Sequence, residues 1–121
     1  MPGTVKKSFN TPDELRKPPN IEVAVVNLGP VTAARFTMQP GWRWSESVGP
    51  VAGTDTCQAR HIGVVASGRL RISHGDSDTE IGPGDAYVIE PGHDAVVVGD
   101  DPFMGYEFDS ATAEVFAQPS S

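Results

Sequence analysis

The sequence predicts an all-β domain, a sandwich or barrel of antiparallel strands. Three observations predict it. Short Val-rich or alternating apolar runs recur from residue 21 to residue 108, and almost no segment carries a helical period. The 13 glycines and 11 prolines are spread along the chain, which suggests many turns between short strands. The chain has 121 residues, enough for one hydrophobic core and too few for two.

The elements follow in order. Residues 1–20 form a polar, Pro-rich N-terminal arm. Within it Thr11-Pro12-Asp13-Glu14 fits a capping box with Pro at the first helical position, which predicts one helical turn before Pro18-Pro19. Residues 21–110 form the barrel. Ile21 to Leu28 and Val31 to Met38 read as strands closed by Gly29-Pro30 and Pro40-Gly41. Trp42 to Val48 alternates, with Trp42, Trp44, Glu46 and Val48 on one face, and reads as a third strand. Gly49 to Thr56 is a loop, and Ala59 to Val65 a strand. Leu70, Ile72 and His74 alternate along one arm of a hairpin that turns at Gly75-Asp76-Ser77-Asp78. Ala86 to Ile89, Ala95 to Val98 and Phe103 to Phe108 complete the set, and residues 111–121 are a C-terminal tail.

Composition narrows the function classes. A formal charge of −7 repels phosphate backbones, so nucleic acid is not an expected partner. The single cysteine, Cys57, precludes an intrachain disulfide and suits a reducing compartment. No apolar run has the length of a signal peptide or a membrane span. The expectation is a soluble cytoplasmic protein with no membrane partner.

The run Gly63-Val64-Val65-Ala66-Ser67-Gly68-Arg69-Leu70-Arg71-Ile72, followed by Ile81-Gly82-Pro83-Gly84-Asp85-Ala86-Tyr87-Val88-Ile89-Glu90-Pro91-Gly92-His93, resembles the cupin superfamily, of the small single-domain cupin-2 type. The resemblance covers about residues 30–108 and implies an antiparallel double-stranded β-helix, a jelly-roll barrel. Cupins carry two motifs, G-x5-H-x-H-x3-4-E-x6-G and G-x5-P-x-G-x2-H-x3-N, whose three histidines and glutamate bind one divalent metal. Here Gly49 and Gly68 bracket the first motif, which places Asp55 and Cys57 at its histidine positions and His61 at its glutamate position. In the second, Gly84 and Gly92 are kept, Glu90 replaces the proline and Ala95 takes the histidine position. The spacing is preserved and the usual ligands are replaced.

An altered site is open to this chain. Alternate residues of a strand share a face, so Cys57 and His61 would point together from one unbulged strand, with His93 two residues before Ala95 on the neighbouring one. Cys57, His61 and His93, with Asp55 as a fourth, suit a divalent transition metal such as Zn, Fe, Ni or Mn. The plainer reading makes Cys57 a small buried hydrophobe, His61 a core or rim histidine and His93 an exposed turn residue. Direct Cys57–His61 chemistry is not favoured, since an extended strand separates positions i and i+4 by about 13 Å.

Trp42 and Trp44 either anchor the core or wall a ligand pocket, with Glu46, Tyr87 and Tyr106 as further pocket candidates. The expected function is a barrel that binds a small molecule in its interior, with a non-standard metal site as a possible part of it. The alternative is a metal-dependent enzyme of the dioxygenase, isomerase, lyase or cyclase type using Cys57, His61 and His93. A homodimer is expected in either case, and a purely structural barrel is the third possibility.

Overall fold

We describe a computed structural model of the chain, covering residues 3–108. The tail expected at 111–121 lies outside the described residues. Among the described residues, nine strands form two antiparallel sheets: β1 (Glu14–Arg16), β2 (Ile21–Asn27), β3 (Thr32–Met38), β4 (His61–Ser67), β5 (Arg69–His74), β6 (Ser77–Ile81), β7 (Ala86–Ile89), β8 (Asp94–Val98) and β9 (Phe103–Phe108). Two helical turns, α1 (Trp44–Ser47) and α2 (Gly49–Ala52), lie between β3 and β4. One sheet runs β1-β2-β3-β9-β4-β7 and the other β6-β5-β8. This is the all-β, jelly-roll arrangement the sequence predicts.

Side-chain alternation sorts each strand into an inner and an outer face. Val23, Val25, Phe36, Val65 and Phe103 come inward from the larger sheet, while Leu70, Ile72, Ala95 and Val97 come inward from the smaller. The register aligns these inner positions in rows. Val23 sits opposite Phe36, Phe36 opposite Gly105, and Gly105 opposite Val65. Next to it, Val25, Ala34, Glu107, Gly63 and Tyr87 form a second row across five strands. The first row fills the core. The second carries polar groups and forms part of the site.

Two local expectations need correction. The capping-box segment is not helical: Glu14–Arg16 pairs antiparallel with Val23–Val25 as an edge strand. Asp13 spends its carboxylate on the backbone N–H of Asn27 and on Lys7 rather than on a helix N-terminus. Three residues paired to a long strand outcompete an isolated helical turn, which is poorly stable alone. The segment Trp42 to Val48 is extended only at its start, where Arg43 bridges Val96 and the Trp42 carbonyl accepts from Val97. It then coils into α1 because Asp94 caps it from β8, accepting hydrogen bonds from the Ser45 backbone and hydroxyl at 3.0 and 2.8 Å. Both tryptophans are buried all the same.

No helix among the described residues is long and apolar enough to cross a membrane.

Gly68 turns β4 into β5 with φ of 77°. A Cβ there would collide with the Pro102 carbonyl oxygen and come within 2.6 Å of Phe103 Cα, both backbone atoms that cannot swing aside. Gly75 also has positive φ, at 57°, but a Cβ there meets open space. Gly68→Ala is therefore expected to destabilise the fold by about 3 kcal/mol or more, and Gly75→Ala by about 1–2 kcal/mol. Urea unfolding of the two variants checks the order.

Candidate functional site

The barrel interior holds a partly open cavity of about 70 Å3. Its polar groups gather in one place. Cys57 lies just outside β4, joined to the start of β8 by an antiparallel bridge to His93, with Cys57 N–H donating to the His93 carbonyl at 2.7 Å. The chain is irregular through 58–60 before β4 begins at His61. That bend brings Cys57 Sγ within 3.5 Å of His61 Nε2, where an extended strand would have held the two residues far apart. Cys57, His61 and His93 each offer one ligand atom, and the three atoms lie within 4.8 Å of one another.

Each imidazole is held by its far nitrogen. His61 Nδ1 lies 2.8 Å from Glu107 Oε1, and His93 Nδ1 lies 2.7 Å from the Glu90 carbonyl oxygen. A carbonyl only accepts, so Nδ1 of His93 carries a proton. The two rings meet edge to face, 5.1 Å apart. His74 Nε2 donates to the same Glu90 carbonyl at 3.0 Å from the exposed end of β5.

Glu107 is buried in β9 and satisfied on both oxygens. His61 takes Oε1, and the Tyr87 hydroxyl donates to Oε2 at 2.8 Å. Tyr87 reaches it across an intervening strand because Gly63, opposite both residues, has no side chain. A Cβ at Gly63 would come within 2.8 Å of the Tyr87 hydroxyl, within 2.9 Å of Glu107 Cγ, and against the Tyr106 carbonyl oxygen.

The ionisation of the group follows from this packing. Burial opposes charge on Cys57, but hydrogen bonds from His61 and His93 outweigh it and bring the thiol down to about 6 from an ordinary 9.0. Burial likewise opposes charge on His61, while its bonds to Cys57 and Glu107 lift it to about 9. Burial, then the Glu107 carboxylate, pushes the Tyr87 phenol far up, so Tyr87 stays protonated.

The donor set fits a metal. A tetrahedral ion with sulfur at about 2.3 Å and nitrogen at about 2.0 Å sets those donors about 3.5 Å apart. Cys57 Sγ and His61 Nε2 are already 3.5 Å apart. A thiolate, two imidazoles facing inward by Nε2, and carboxylate or carbonyl partners behind each ring are the arrangement that orients metal ligands.

The other expected residues divide. Trp42, Trp44 and Tyr87 line the cavity. Asp55 does not join the group: it is exposed, on a shallow surface groove beside α2. Glu46 points to solvent with its side chain 76% exposed, because the α1 turn rotates it off the tryptophan face. Tyr106 lies on the outer face of β9, one residue out of phase with Phe103 and Glu107, where it packs on Phe9 of the N-terminal arm at 5.4 Å. Ala95, at the position of the cupin motif's histidine, lines the cavity with its methyl group, and His93 is buried rather than exposed in the turn. The sequence reading missed Glu107. Its signal was parity: Phe103, Gly105 and Glu107 share one face, and a carboxylate on a core face needs a buried partner.

Comparison with solved structures places this architecture. A protein of unknown function from Rhizobium leguminosarum bv. viciae 3841 matches with a TM-score of 0.63 at 20% identity, over 87% of this chain and 94% of that one. KdgF from Halomonas sp. matches with a TM-score of 0.59 at 20% identity, over 88% and 93%. A cupin-2 domain from Rhodospirillum rubrum matches with a TM-score of 0.54 at 17% identity, over 87% and 66%. No family model matches the sequence, and no curated protein does. The chain has the cupin fold, a double-stranded β-helix, with a Cys-His-His group inside the barrel.

The shifted ionisations predict a thiolate–imidazolium pair in the metal-free protein. The stability due to Cys57 is present above its unfolded pKa and is lost as pH falls through about 6. The stability due to His61 is present below its unfolded pKa and is lost as pH rises through about 9. Between those limits the pair binds as many protons as an unfolded thiol with a neutral imidazole. Stability is therefore nearly flat there, and the thiolate itself is the observable. Its ultraviolet absorbance in metal-free protein is expected to appear with a midpoint near pH 6, and His61→Ala is expected to move that midpoint up.

Proposed function

We propose that this chain binds a divalent transition metal through Cys57 Sγ, His61 Nε2 and His93 Nε2, and that the metal faces a small molecule held in the barrel. One observation carries the reading: three soft or borderline donors converge within 4.8 Å on the wall of a cavity. A site with three protein ligands and one side left to the cavity has the layout of metal centres that act on a bound molecule, whereas structural centres are closed by a fourth ligand. When bound, such an ion supplies Lewis acidity.

The chain's own residues have defined parts in this. Cys57 contributes charge and softness, which favours zinc and its borderline neighbours over magnesium or calcium. Glu107 fixes the His61 ring and keeps Nε2 inward, and Tyr87 holds Glu107. The Glu90 carbonyl does the same for His93. The apolar wall excludes water from the group and strengthens its electrostatics.

A second reading rests on a separate feature. Cys57, His61 and Glu107 stand in the order nucleophile, base and orienting carboxylate, at 3.5 and 2.8 Å. That triad gives His93 only a hydrogen bond to the thiolate, whereas the metal reading uses all three converging donors.

The full-length chain, reconstituted with Zn(II) and dialysed, is expected to retain about one ion. Free Zn(II) at a hundred times Kd is expected to raise its unfolding free energy by about 2.7 kcal/mol. Cys57→Ser and His93→Ala are expected to lose the ion, and Glu107→Gln to weaken binding about 10–100-fold. Plasma mass spectrometry and denaturant unfolding provide both readouts. Full metal retention in Cys57→Ser and His93→Ala would overturn the proposal. Rapid alkylation of Cys57 by iodoacetamide, slowed by His61→Ala but not by His93→Ala, would favour the nucleophile instead.

A further inference from the structure

The wall of the cavity describes what it can hold. Apart from Cys57, His61, His93, Tyr87, Glu107 and the indole N–H of Trp42, which has no hydrogen-bond partner among the described residues, the lining is apolar, with Phe36, Met38, Trp44, Leu70, Ile89 and Phe103 supplying much of the surface. Among the described residues, no Lys, Arg, Ser, Thr, Asn or Gln lines it. The Tyr87 hydroxyl gives its hydrogen to Glu107. His61 and His93 turn their Nδ1 atoms away from the metal position, towards Glu107 and the Glu90 carbonyl.

Two constraints follow. A polyol or sugar placed here would leave most of its hydroxyls buried without partners, which is unfavourable for each one. With both imidazoles holding the metal, a phosphate or a sugar acid would find no cationic side chain to pair with. Nor would the metal supply a surplus of charge, since the Cys57 thiolate and the Glu107 carboxylate behind His61 together balance a divalent ion. A buried anion would remain uncompensated.

We infer that the cavity takes a neutral, mostly apolar molecule carrying one oxygen function directed at the metal, an alcohol, ketone or aldehyde. This inference rests on the metal centre proposed above. The apolar body buries against the aromatic and aliphatic wall, and the single oxygen completes the open side of the Cys57–His61–His93 set.

The chain provides its own reporter, because its two tryptophans, Trp42 and Trp44, both line the cavity. The Zn(II)-loaded full chain is titrated with hexan-1-ol, cyclohexanone, galacturonate and glucose 6-phosphate, with intrinsic fluorescence as the readout and metal content measured on the same sample. A saturable change is expected with hexan-1-ol and cyclohexanone, weakened about tenfold or more when the metal is removed, with no change from the two sugar derivatives. Binding of galacturonate or glucose 6-phosphate in preference to the apolar probes would overturn the inference, as would a loaded chain that ignores all four. The metal measurement separates the two proposals. A chain that takes up no zinc sinks the centre, while a loaded chain that rejects the apolar probes sinks only the ligand class.

Discussion

A carboxylate inside a barrel of fewer than 110 described residues is the constraint on which the inner face depends. Glu107 is 5% exposed, and an unpaired charge at that depth would destabilise the fold. The neighbouring strands resolve this with small residues and two donors. Ala34 and Gly63 flank Glu107 in register and leave room on either side. Tyr87 crosses the gap over Gly63 to reach one oxygen, and His61 takes the other. Satisfying Glu107 thereby decides which way the His61 ring faces. Its Nε2 can only point at Cys57 and the cavity.

The second half of the group is built by backbone. The Cys57–His93 bridge joins the segment before β4 to the start of β8, and the irregular residues 58–60 let the chain turn back towards His61. His93 is then locked by the Glu90 carbonyl, which His74 shares. One ring is held by a side chain and the other by a loop carbonyl, yet both leave the same nitrogen inward. The apolar wall beyond them makes this the polar pole of the cavity. Function is read from that pole rather than from the fold, since the cupin architecture alone does not select a chemistry.

Much of this was legible in the sequence, and the failures have physical causes. Strands β2 to β9 were visible because alternation and Gly or Pro turns are local signals. β1 was not, because Glu14–Arg16 is a strand only by virtue of pairing with β2. α1 was not, because its cap comes from Asp94, 49 residues away. That one misreading also misplaced Glu46. The convergence of Cys57 and His61 was expected from strand parity and arises instead from the bend at residues 58–60. Tyr106 and Glu107 were misjudged together: placing Phe103 inward puts Glu107 inside and Tyr106 outside.

The central claim is that Cys57, His61 and His93 share one ion. X-ray absorption at the zinc edge of the loaded full-length chain addresses it directly. The account predicts one sulfur at about 2.3 Å with at least two imidazole nitrogens at about 2.0 Å in the first shell. A shell of oxygens alone, with no sulfur and no imidazole scattering, would contradict it.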